Sequence, residues 1–62
     1  MKNNRNAEIG DMIRIIDEYY INNGLQNEIC KVIGREYHGV FVEGYGYIVL
    51  DSGYEILKKA PP

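Results

Sequence analysis

Five short apolar runs, each closed by Gly, Asn or Asp, constrain this chain more than any other feature of it. They cover residues 9–16, 28–33, 40–43, 47–50 and 54–57. In the first run Ile9, Ile13 and Ile15 share one parity, and Met12, Arg14 and Ile16 share the other. Period-two alternation of β-branched residues is the mark of a half-buried strand. Met12, Ile15, Ile16 and Tyr19 also fall at helical spacing. A strand is nonetheless expected, because β-branched side chains lose rotamer freedom in a helix and Gly10-Asp11 reads as a turn entry. The pattern predicts an all-β domain, a small five-stranded barrel.

The connections carry their own signals. Residues 17–27 read as a long first loop with its tip at Asn22-Asn23-Gly24, residue types that tolerate the positive φ of a tight reversal. In 28–33, Ile29 and Ile33 alternate with Cys30 and Val32, so both parities are apolar. That implies burial on both sides, or a bent barrel strand whose ends face different layers. Residues 34–39 form the next reversal, Glu43-Gly44-Tyr45-Gly46 a hairpin, and Asp51-Ser52-Gly53 a tight 3₁₀ turn before the last strand. A chain of 62 residues buries only about 60% of its unfolded surface, which allows one domain with a thin core. That domain is expected over 7–59. Residues 1–6, polar and with three Asn, read as a disordered N-terminal tail, and 60–62, ending in Pro-Pro that cannot extend a central strand, as a C-terminal tail.

Charge narrows the function classes. The net charge is −2 and the nine acidic residues are dispersed, which favours neither a nucleic-acid binder driven by counterion release nor an acidic DNA mimic. A lone Cys30 allows no internal disulfide. With no leader and no long apolar run, the chain is expected in a reducing cytoplasm and not in a membrane. Asn, Ile, Tyr and Lys are plentiful, while Ala and Pro occur twice each and Arg three times. AT-rich codons favour that usage, which points to a low-GC bacterium, or a phage or mobile element living in one.

No catalytic, cofactor or metal motif stands out, and no enzyme is expected. His38 reads as a solvated loop residue and Cys30 as a small buried hydrophobe. Asp11, Asp17, Glu18 and Asp51 sit beside turns, where carboxylates cap backbone amides.

The segment Gly10-Asp11-Met12-Ile13-Arg14-Ile15 resembles the opening of SH3-like and KOW-type barrels. Residues 46–57, from Gly46-Tyr47 through Asp51-Ser52-Gly53 to Tyr54-Glu55-Ile56-Leu57, are similar to the closing segment of SH3 domains. The resemblance implies an SH3-like barrel used for binding, with Tyr54 at a groove position and Asp17-Glu18-Tyr19-Tyr20 echoing the acidic, aromatic first loop. The chain has no Trp, and Val49 and Leu50 stand where SH3 domains carry a Pro, which argues against a Pro-rich ligand. KOW-type barrels that touch RNA present basic loop residues, and 17–27 has none.

Six tyrosines therefore carry most of the functional signal, since Tyr offers a flat apolar body and a hydroxyl at low entropic cost. Tyr47 and Tyr54 read as core or rim residues, Tyr19, Tyr20 and Tyr45 as contenders for an exposed role. Of the adjacent pair Tyr19-Tyr20, one ring cannot face the core. The expected function is a protein-interaction module. Its partner docks in a groove between residues 17–27, 34–39 and 51–54, anchored by Tyr19, Tyr20 and Tyr54, with Asp17 and Glu18 selecting a basic partner. The alternative is a nucleic-acid or ribosome-associated barrel that uses Arg14, Lys31 and Arg35, with Lys58, Lys59 and Tyr37 or Phe41 in support. Glu28, Glu36 and Glu43 oppose its field. A third possibility is a homo-oligomer joined through a strand edge.

Overall fold

The structure is a computed structural model that describes residues 6–61. The tail expected over 1–6 thus lies, apart from Asn6, outside the described residues, as does Pro62. In chain order the elements are β1 (Met12–Ile15), α1 (Glu18–Asn22), β2 (Ile29–Arg35), β3 (Gly39–Val42), β4 (Val49–Leu50), a 3₁₀ turn (Asp51–Gly53) and β5 (Tyr54–Lys58). The strands form one antiparallel sheet in the order β4-β3-β2-β1-β5. The fold is all-β with five strands and a 3₁₀ turn before the last, as expected from the sequence.

Alternation decides which side of the sheet is dry. Ile13 and Ile15 of β1, Cys30 and Val32 of β2, Val40 and Val42 of β3, Val49 of β4 and Tyr54 of β5 join one core cluster with Ala7, Tyr20 and Leu25. Cover for the apolar face comes from α1 through Tyr20 and from irregular segments through Ala7 and Leu25. Two register shifts supply bending. β2 advances two residues, Val32 to Gly34, while β3 moves one, Val42 to Phe41. β5 likewise advances from Lys58 to Ile56 while β1 moves from Met12 to Ile13. An extra residue on one strand of a pair bends it and increases its twist.

Two local expectations change. Burial in β2 is confined to the parity of Cys30 and Val32, whereas Ile29 and Ile33 are about half exposed, because among the described residues no segment covers them on the outer face. The run 9–16 yields a shorter strand as well: Ile9 lies in a turn, 62% exposed.

The expected loop over 17–27 contains α1. Asp17 is its N-cap, its carboxylate accepting from Tyr19 N at 2.9 Å, and Glu18 places negative charge in the first turn, where the helix dipole favours it. At the other end Asn23 Nδ2 donates to Tyr19 O at 2.7 Å and Gly24 takes φ +123°. Five residues are too few to print an amphipathic period, so only the caps mark this helix in the sequence.

Asp11 closes the chain on itself. Its side chain is 1% exposed, yet three donors reach it: Glu8 N at 2.8 Å and Lys59 Nζ at 2.9 Å on Oδ2, and Ala60 N at 2.7 Å on Oδ1. These bonds therefore reach Ala60, the first residue of the expected C-terminal tail. Burial by itself raises the Asp11 carboxyl. The hydrogen bonds from Glu8, Ala60 and Lys59 outweigh it and hold the pKa below its ordinary value. A carboxyl depressed by folding stabilises the native state above the ordinary carboxylate range, and that stability disappears as pH falls through the folded pKa. Asp11→Asn is expected to cost about 1.5–3 kcal/mol at neutral pH. Urea denaturation at pH 7 and at pH 3 should show the wild type and the variant converging as the solution is acidified.

Candidate functional site

An open groove of about 590 Å³ lies beside α1. Tyr19, Tyr20 and Asn23 form one wall. Tyr45, Tyr47 and Ile48, from the connection between β3 and β4, form the other with Leu50 of β4. The rings run in a chain of edge-to-face contacts: Tyr19–Tyr20 at 5.3 Å, Tyr20–Tyr45 at 6.0 Å and Tyr45–Tyr47 at 5.8 Å, with interplanar angles of 84°, 85° and 68°. Such pairs align the positive edge of one ring with the negative face of the next.

Tyr20 holds the walls together. Its ring is buried in the core, and its hydroxyl accepts from Leu50 N at 3.1 Å, tying α1 to β4. A Cβ on Gly53 would lie 2.7 Å from Tyr20 Cε2, so the ring can cross the 3₁₀ turn only because that residue is glycine. Of the adjacent pair, Tyr20 thus faces the core and Tyr19 is 62% exposed. Gly44, at φ +87°, makes the reversal that brings Tyr45 and Tyr47 opposite α1. Burial pushes the Tyr45 hydroxyl pKa up, and the neighbouring Tyr19, Tyr20 and Tyr47 add to the shift.

The expected site residues divide. Tyr19 and Tyr20 line the groove, with Asp17 capping α1 and Glu18 exposed in its first turn. Tyr54 does not line it. The 34–39 and 51–54 turns are not its walls either, because Tyr20 pulls α1 toward β4. Tyr47, read as core or rim, is 71% exposed and belongs to the groove, as does Tyr45. The sequence signal for this wall was the glycine-spaced run Gly44-Tyr45-Gly46-Tyr47, aromatic residues placed where a hairpin turn keeps them from the core.

Tyr54 serves a polar clamp at the other side of the 3₁₀ turn. Its ring is fully buried, and its hydroxyl accepts from Ala7 N at 3.0 Å and donates to Asp51 Oδ1. Arg35 meets Asp51 with two parallel bonds of 2.6 and 2.7 Å and also donates to Ala7 O at 3.4 Å. Burial raises the Asp51 carboxyl, but the hydrogen bonds from Arg35 and Tyr54 and the Arg35 charge prevail and hold its pKa below the ordinary value. Burial and the bond to Asp51 push Tyr54 up to about 12. Arg35, bonded to Asp51, has its own pKa raised.

That clamp removes Arg35 from the basic stripe expected with Arg14 and Lys31. Arg14 lies 3.6 Å from Glu28 and pairs across the strands with Ile29 and Glu55. Lys31 remains on the outer face, where it and Lys58 flank Met12. Cys30 is buried, its Sγ donating to Asn27 O at 3.3 Å, and burial with the nearby Glu43 pushes its thiol pKa up, the reverse of what a nucleophile needs. Among the described residues no three His, Cys, Asp or Glu side chains are grouped to hold a metal ion.

Two predictions separate the buried tyrosines from the exposed ones. Tyr20→Ala should cost about 3–5 kcal/mol of stability and Tyr47→Ala less than about 0.5, measured by urea unfolding. A tyrosine whose folded pKa exceeds its unfolded value stabilises the fold below the unfolded value, near 10, and loses that contribution as pH rises through about 12. Tyr54→Phe should therefore weaken the fold by about 1–3 kcal/mol at pH 7 and shrink the loss seen in alkaline denaturation.

Comparison with protein-family models, with curated proteins and with solved structures finds no match to this chain. Among the described residues no helix is long and apolar enough to cross a membrane.

Proposed function

We propose that this chain is a small, non-enzymatic, SH3-like protein-interaction module that docks a partner protein in the tyrosine groove. One observation carries the proposal: Tyr19 and Tyr47, 62% and 71% exposed, face a common concavity with Ile48 and Leu50 while the rings beside them are anchored. Exposed aromatic rings around a preformed groove are the composition of interface hot spots, and the Tyr20 anchor lowers the entropy lost on binding. The SH3-like assignment rests on the resemblances over 10–15 and 46–57 and on the 3₁₀ turn before the last strand. Codon-linked composition supports a low-GC bacterial cytoplasm as the setting and a phage or mobile-element accessory protein that modulates a host factor as the role. The nucleic-acid alternative is weakened by the pairing of Arg35 with Asp51 and of Arg14 with Glu28.

The test uses a photo-crosslinking benzoylphenylalanine placed at position 47 or, as control, at position 37, in a low-GC bacterial host. A discrete protein adduct should form from position 47 and not from 37, and Tyr19→Ser should abolish it. An adduct equally strong from both positions, or one that survives Tyr19→Ser, would refute groove docking. Binding to single-stranded DNA that collapses between low salt and about 0.5 M would instead establish the nucleic-acid role.

A further inference from the structure

The charged residues in the chain segments that form the groove are of one sign. The two segments that supply its walls, residues 16–26 and 43–50, contain Asp17, Glu18 and Glu43 and neither Lys nor Arg, and Asp51 follows directly after the second. Asp51 is matched by Arg35 and Glu43 lines a separate cavity with Lys31, which leaves Asp17 and Glu18, both exposed, next to Tyr19 in the chain. Among the five described Lys and Arg residues, Arg14, Arg35 and Lys59 are in ion pairs, and Lys31 and Lys58 flank Met12 on the sheet.

The walls suit a flat cation. Tyrosine faces carry negative quadrupole density that attracts a cation within about 6 Å of the ring centre. Neighbouring rings here are turned by 68° to 85°, so their faces point in different directions, and Tyr19 and Tyr47, at the two ends of the chain of contacts, are the most exposed of the four. Guanidinium is planar, stacks on aromatic faces and carries donors around its rim, where lysine offers a compact, strongly hydrated ammonium. The groove is also open at Tyr19 and Tyr47, unlike a closed cage shaped around a single quaternary ammonium.

We infer that the groove receives an arginine-bearing extended segment of a partner protein, with guanidinium groups against the exposed Tyr19 and Tyr47 rings and Asp17 and Glu18, next to Tyr19 in the chain, as the carboxylate rim. This inference rests on the docking role proposed above and names the chemistry of the occupant. The ring faces set the affinity. The rim carboxylates steer encounter and make it sensitive to salt.

The experiment is a titration of the ¹⁵N-labelled chain, followed by amide shifts, with a short Gly-Ser peptide containing two arginines. Its counterpart carries citrulline, a neutral isostere, in place of both. The arginine peptide should move the amides of Tyr19, Asn23, Tyr45, Tyr47 and Ile48, and the citrulline peptide should bind at least about fivefold more weakly. Tyr19→Ala and Tyr47→Ala should each weaken the arginine peptide about two- to fivefold, while Tyr47→Phe, which keeps the ring, should retain most of the affinity. Glu18→Gln should reduce binding at low salt and matter little at about 0.5 M.

Equal affinity for the two peptides would overturn the arginine assignment and leave groove docking intact. Shifts confined to Ile29, Lys31 and Ile33, or none at all, would also overturn it. If groove amides move with protein concentration in the absence of peptide, the occupant is a second copy and the inference is wrong. Loss of the position-47 crosslink is the separate result that removes groove docking itself.

Discussion

The bidentate pair between Arg35 and Asp51, closed by the Tyr54 hydroxyl, is the contact on which the rest of the structure depends. It joins the end of β2, the 3₁₀ turn, the start of β5 and, through both backbone groups of Ala7, the segment before β1. A single sheet with so little chain to cover it cannot be held curved by apolar burial alone, because small domains bury too small a share of their surface. Charged hydrogen bonds at the sheet's ends add stabilisation that apolar contacts there cannot supply. Asp11 makes a second tie of the same kind between the first turn and the residues after β5. Every buried side-chain polar atom among the described residues has a partner, so neither clamp leaves an uncompensated group in the core.

The groove depends on the first clamp. With the 3₁₀ turn fixed by Asp51, Gly53 presents a surface without a side chain, Tyr20 lies across it, and the Tyr20 hydroxyl reaches Leu50. Helix α1 is thereby pinned to β4, and its exposed neighbour Tyr19 is turned toward Tyr45 and Tyr47. Rigid aromatic side chains held this way lose little freedom on meeting a partner, which is the physical basis for reading the groove as a docking surface.

Much of the fold was legible residue by residue. The parity of Ile13 and Ile15, the pair Val40 and Val42, the turn at Gly44 and the 3₁₀ turn at Asp51-Ser52-Gly53 all follow from local sterics, and each is found where expected. Helix α1 was missed because its evidence consists only of caps, Asp17 at one end and Asn23-Gly24 at the other. The site was legible in part. Tyr19 and Tyr20 line a groove, and Tyr54 is core as the core-or-rim reading had it although it was also named an anchor, whereas Tyr47, given the same core-or-rim reading, is exposed and lines the groove. The places of Tyr54 and Tyr20 are set by partners remote in sequence, Ala7 at a separation of 47 residues and Leu50 at 30.

By itself the sequence determined that the chain alternates, turns and pairs as a five-stranded antiparallel sheet, since alternation and glycine placement act over a few residues. Only the tertiary structure decided the fate of individual polar and aromatic side chains. Tyr19 and Tyr20 have almost the same neighbours in sequence, yet one ring is 62% exposed and the other 6%. Arg35 and Lys31 read alike as surface cations until Asp51 is brought across to one of them. Such choices are made by contacts between distant segments, which form only when the sheet has curved and which leave no periodic trace in the chain.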